Sequence, residues 1–261
     1  THNQINKIDF NYSLDENIEN DMIKKNLKDL NNIIDNNLKN LEINVTQIFR
    51  RDKPPLNCER HHKVFNSYEI IPKFCFSCFK VLIEIDNVID LIKLFIIFDN
   101  IKFPNFNTKK CMIELRPNVS GKYKGLVYCN SREESESVLN QLTKICQRNL
   151  SKKLNYKIKK GCTEFAIKYP NYDTLKNDEL KYNNDWKKYE DIIDENNPDL
   201  AFEKISRPTI KGISLSDVLV IRNWLCYAKL IGDNSYKTIT DQTYNSKYVE
   251  KKLSIMKSYF N

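Results

Sequence analysis

Lys80-Val81-Leu82-Ile83-Glu84-Ile85 opens the part of this 261-residue chain whose reading decides the fold. Val81, Ile83 and Ile85 fall on one side of an extended backbone and Lys80, Leu82 and Glu84 on the other, so the run reads as a strand. Asp86 or Asn87 then stands where a helix cap is expected, and Val88 to about Asp99 is apolar on most faces, which predicts a buried helix closed by Pro104. Cys111-Met112-Ile113-Glu114-Leu115-Arg116 alternates again. The turn Pro117-Asn118-Val119-Ser120-Gly121 leads to a further strand, Tyr123 to Cys129. Ser131 with Glu134 spells a capping box ahead of a helical stripe of Val138, Leu139, Leu142, Ile145 and Cys146. Tyr156 to Lys160 is one more alternating strand.

That order is strand, helix, strand, strand, helix, strand, which predicts an α+β fold with a ferredoxin-like (βαββαβ) core. Outward from it, residues 14 to 41 carry apolar residues three, four and seven apart, an amphipathic helix with Ser13 as cap. It is expected to pack on the main body or to bind a protein partner. Residues 44 to 57, with Pro54-Pro55, read as a connector, and 64 to 74 as extended chain. Glu164 to Tyr169 reads as another strand ending at Pro170. Helices are expected from Trp186 to Asp194, from Val218 to Leu230 with Gly232 as its C′ residue, and from Tyr244 to Phe260. The division is 1–50, an N-terminal helical segment; 51–170, the Cys/His connector plus core; and 171–261, a helical part packed on the core.

With five glycines the chain has no GxGxxG, GxxxxGK[ST] or GxSxG, so Rossmann enzymes, P-loop NTPases and α/β-hydrolases are excluded. The longest apolar run, Leu91 to Phe98, is broken by Lys93 and too short to span a bilayer. The eight cysteines mostly stand singly in apolar runs, and no apolar leader is visible. A cytoplasmic protein with reduced thiols, and no membrane partner, is the expectation.

Three constellations carry chemistry. Cys58, with His61 or His62, and the Cys75-x-x-Cys78 knuckle supply sulfur and nitrogen ligands at spacings suited to a structural zinc. Strand alternation would separate Cys75 from Cys78, so the site needs a turn between them. A net charge of +8 and the run Lys144 to Lys168, eight cations against Glu164, favour an anionic partner, RNA or DNA. Lys152, Lys153, Lys157, Lys159 and Lys160 would meet phosphates, with Tyr128 placed to stack a base. The strand Lys124-Gly125-Leu126-Val127-Tyr128-Cys129 resembles the third-strand motif of RNA-recognition modules, which implies their fold but not their RNA surface, since Val81 to Ile85 offers no exposed aromatic. It departs from that motif at Leu126, where an aromatic is expected. Thirdly, Cys162 after Lys159-Lys160-Gly161 has the cationic setting of a reactive thiol, but nothing in the sequence brings a histidine to it.

The reading is therefore a non-catalytic nucleic-acid-binding or accessory protein with a basic face, stapled by zinc. The alternatives are a metal-dependent enzyme using His61, His62, Cys75 and Cys78, or an interaction subunit of a larger complex.

Overall fold

The computed structural model describes the chain except residues 1, 6, 9, 11, 39–40, 52–55, 118, 152–153, 173–179, 202–208, 210 and 260–261. It is a mixed helix and sheet protein. The elements run α1 (His2–Ile5), α2 (Asn20–Asn37), β1 (Gln47–Arg50), α3 (Cys58–Tyr68), β2 (Phe79–Ile85), α4 (Val88–Asn100), β3 (Lys109–Ile113), β4 (Tyr123–Cys129), α5 (Arg132–Asn149), β5 (Asn155–Lys160), α6 (Thr163–Lys168), α7 (Lys187–Asn196), α8 (Pro198–Ala201), α9 (Leu215–Leu230) and α10 (Lys247–Ser258). The five strands form one antiparallel sheet in the order β1-β3-β4-β2-β5.

The alternation that marks the strands also builds the core. Val81, Ile83 and Ile85 of β2, Cys111 and Ile113 of β3, and Tyr123 and Val127 of β4 are buried in one cluster with α2, α4, α5, α9 and α10. Gly125 is the close-approach point: a Cβ there would lie 2.2 Å from Leu94 Cδ2, so α4 packs against bare backbone. Asn87 caps α4 and Ser131 caps α5, as their side chains suggest. Arg50 locks β1 to this layer. It pairs with Asp99 of α4 and, at 3.1 Å, with Asp217 of α9, and it donates to the Gly212 carbonyl at 2.6 Å. Burial opposes the Arg50 charge, and the two carboxylates more than offset that.

Several expectations need correction. The connector of 44 to 57 contains an edge strand, β1, paired with β3. Residues 64 to 68 are helical rather than extended: His61 and Val64 are buried at helical spacing, and α3 ends only where Glu69 adopts φ 55°. Glu164 to Tyr169 is not a strand. Phe165 is fully buried and Ile167 is 75% exposed, while Phe165 and Tyr169, four apart, share the inner face of α6. In so short a run of alternating apolar residues, periods of two and of 3.6 fit almost equally well, and tertiary packing decides. The first long helix begins at Asn20, so Ser13 is not its cap.

Candidate nucleic-acid interface

With one face of the sheet covered by helices, the other set of alternating side chains forms a second surface. Leu82, Met112 and Leu126 make a small apolar floor with Tyr128 against it. Register sets the neighbours. Lys159 pairs with Lys80, and Lys80 with Tyr128; one row along, Phe49 pairs with Lys110, and Lys110 with Leu126. The starts of α3 and α6 rise beside this floor and enclose a cleft of about 430 Å³.

The cleft lining holds six cations, Arg51, Lys80, Lys110, Arg116, Lys124 and Lys159, against two acids, Glu59 and Glu164. Part of that charge is neutralised. Glu114, buried at the rim, accepts from Arg116 Nε at 2.8 Å and from Lys124 Nζ at 2.9 Å, and Arg116 reaches Glu164 at 3.0 Å. Burial alone would raise the Glu114 carboxyl, but these two cations hold it below its usual value. Among the described residues neither Lys80, Lys110 nor Lys159 has a carboxylate partner within 4 Å. Burial, with the charges of Lys80 and Arg116 behind it, lowers Lys110 to about 8.

On the cleft wall the Cys162 thiol and the His62 ring stand side by side, their ligand atoms within 4.8 Å of each other. Among the described residues, His62, Cys162 and Glu164 are the one group of three metal-competent side chains whose ligand atoms lie within 4.8 Å of one another. Burial would raise the Cys162 thiol; the nearby His62 and the charge of Lys80 reverse this and hold it below its usual value. Cys162 raises His62 in turn, against its own burial. Gly161 orients the thiol: at φ 53° it turns the chain from β5 into α6, donating to the Cys78 carbonyl at 2.7 Å with Tyr172 packed over it.

The sequence-predicted ligands are dispersed. His61 points away from His62, stacked on Phe74 at 5.0 Å and lowered by burial to about 4, hence neutral near neutral pH. The chain does turn at Cys75 to Cys78, through a 3-10 segment, Lys73–Ser77. Cys75 nevertheless packs in a core with Ile71, Phe165 and Tyr172, while burial pushes the partly exposed Cys78 up to about 12. Cys58 is exposed at the cleft. Of the five, only His62 belongs to the cluster.

Of the basic residues, Lys159 and Tyr128 line the cleft. Lys157 is paired with Glu84 at 3.2 Å, and Lys160 turns the other way, over the rings of Phe76 and Tyr172. Lys152 and Lys153 lie outside the described residues. Lys80, Lys110 and Phe49, which also line the cleft, lie outside the basic run of the sequence, Lys144 to Lys168. Alternation alone does not separate them from Lys109, which lies on the covered face of β3 and donates to the Ile101 carbonyl at 2.9 Å. No family model matches the chain, and no curated protein or solved structure matches it either. No described helix is long and apolar enough to cross a membrane.

Proposed function

We propose that the open sheet face binds single-stranded nucleic acid, RNA in first place, with phosphates at Lys80, Lys110 and Lys159 and a base on the Tyr128–Leu126 floor. The carrying observation is the unpaired lysine cluster. Lys80, Lys110 and Lys159 line one cleft, Lys159 as the cross-strand neighbour of Lys80, and burial with the charge of Lys80 already lowers Lys110 to about 8. An anion relieves that repulsion. The apolar floor beside it suits a flat base better than a bare phosphate, and an unpaired strand offers both. The role is that of a non-catalytic binding or accessory protein.

The finer fold reading is part of the proposal. We read β2–α4–β3 and β4–α5–β5 as the two halves of a ferredoxin-like unit, with β1 added at its β3 edge. Supporting it, α4 and α5 pack in the same core on one face and leave the other free. A zinc role would rest on His62, Cys162 and Glu164; the adjacent Lys80 and the Arg116–Glu164 pair oppose a dication there.

The test is titration of a labelled single-stranded RNA at several salt concentrations, with a DNA strand as second arm. Each phosphate contact on a single strand adds about 0.7 to the slope of log affinity on log salt, so three lysines predict a slope of about −2. Lys80→Glu with Lys110→Glu should weaken binding on the order of 100-fold, each lost contact to a charged group being worth about 1.5 kcal/mol or more. Binding that ignores salt and both substitutions, or no binding at about 50 mM salt, would overturn the reading.

A further inference from the structure

The Cys162–His62 pair has no part in holding phosphates, and its setting is that of an activated nucleophile. Cys162 immediately precedes α6 on the wall of the open cleft and is partly exposed. His62 reaches it from α3, Lys80 faces it from β2, and Glu164 stands beyond it on α6, tied to Arg116. Cys58 lines the same cleft from α3, and the Cys78 backbone lies behind, joined to Gly161. Each neighbouring cation stabilises a thiolate. The contrast with the buried cysteines is physical: for Cys75, Cys111, Cys129, Cys146 and Cys226 burial outweighs every other influence, Arg50 near Cys111 and Lys229 near Cys226 included, and their thiols are raised.

We infer that Cys162 is a modification site, a thiolate activated by His62 that reacts with soft electrophiles and with hydroperoxides arriving through the cleft. With hydrogen peroxide the sulfur attacks one oxygen. An S–O bond forms, the O–O bond breaks, and the departing hydroxide takes a proton from the His62 imidazolium to become water. Sulfur is oxidised by two electrons to sulfenic acid and the peroxide is reduced. The added group stands on the cleft wall, so modification narrows the surface assigned to nucleic acid; that consequence rests on the proposal above.

The experiment is iodoacetamide labelling of the full chain across pH, read per cysteine by peptide mass spectrometry, with Cys58 as the more exposed internal control. Cys162 should label at least about tenfold faster than Cys58 near pH 6, where an ordinary thiol is almost wholly protonated. His62→Gln should abolish that advantage, and peroxide should place sulfenic acid at Cys162 in the unsubstituted protein. Equal labelling of Cys58 and Cys162, or a pH profile that His62→Gln leaves unmoved, overturns the assignment. Alkylated protein should also lose RNA affinity, by about tenfold or more if the adduct displaces one phosphate contact. RNA binding that survives alkylation of a fast-reacting Cys162 overturns only the coupling. Absence of RNA binding by untreated protein sinks the nucleic-acid reading and leaves the labelling result standing.

Discussion

Arg50 and Lys80 are both buried cations, 5% and 9% exposed, on opposite faces of one sheet. Arg50 lies on the helix-covered face among Asp99, Asp217 and the Gly212 carbonyl, its guanidinium 4.6 Å over the Phe95 ring. Lys80 lies on the open face beside Lys159 and Tyr128, with no carboxylate partner among the described residues. A charge whose solvation is replaced by fixed partners holds the fold together. A charge left half-dehydrated without them weakens the fold and is set up for a ligand. The two faces differ in this way although the same strands supply both.

The comparison breaks most sharply at Arg50. Arg50→Ala should destabilise by about 3–5 kcal/mol, because Asp99 and Asp217 are left buried and uncompensated. Lys80→Met, removing a charge that has no partner, should leave stability unchanged or raised while lowering RNA affinity. Urea denaturation of both variants checks the pair, and a comparable loss in each would erase the distinction.

Gly161→Ala should cost about 1–3 kcal/mol, since the new methyl meets Tyr172 and the backbone is left-handed there. It should also slow Cys162 labelling, as the turn that presents the thiol shifts. A variant with full stability and unchanged labelling would detach the thiol from this geometry.

The smallest effect sharpens the open face. With Lys110 at about 8, its charge fades as pH rises through that value. RNA affinity should therefore fall several-fold between about pH 7 and about pH 9, beyond what ordinary lysines with values near 10.4 would give. Lys110→Arg keeps the charge throughout and should flatten the profile. A flat profile in the unsubstituted protein would show that Lys110 takes no part in binding.

Much of the sheet layer was legible in the chain. Val81, Ile83 and Ile85 against Lys80, Leu82 and Glu84 mark a strand with one dry face, and the Ser131–Glu134 spacing marks the start of α5. Both signals act between residues a few positions apart. The 58–78 segment was harder, because His61-His62 looks like one feature in sequence. On α3 the two rings point apart, one under Phe74 and the other to Cys162. Likewise Glu164 to Tyr169 alternates like a strand until the burial of Phe165 against Ile71 and Tyr172 selects a helix.

By itself the sequence determined the alternating strands, the starts of α4 and α5 and the excess of positive charge. Only the tertiary structure decided which lysines share a cleft, which histidine meets Cys162 and which edge receives β1. The reason is range. Period and capping are set by covalent neighbours, whereas a site assembled from α3, β2, β3 and α6 depends on strand register and helix packing, which no local pattern encodes.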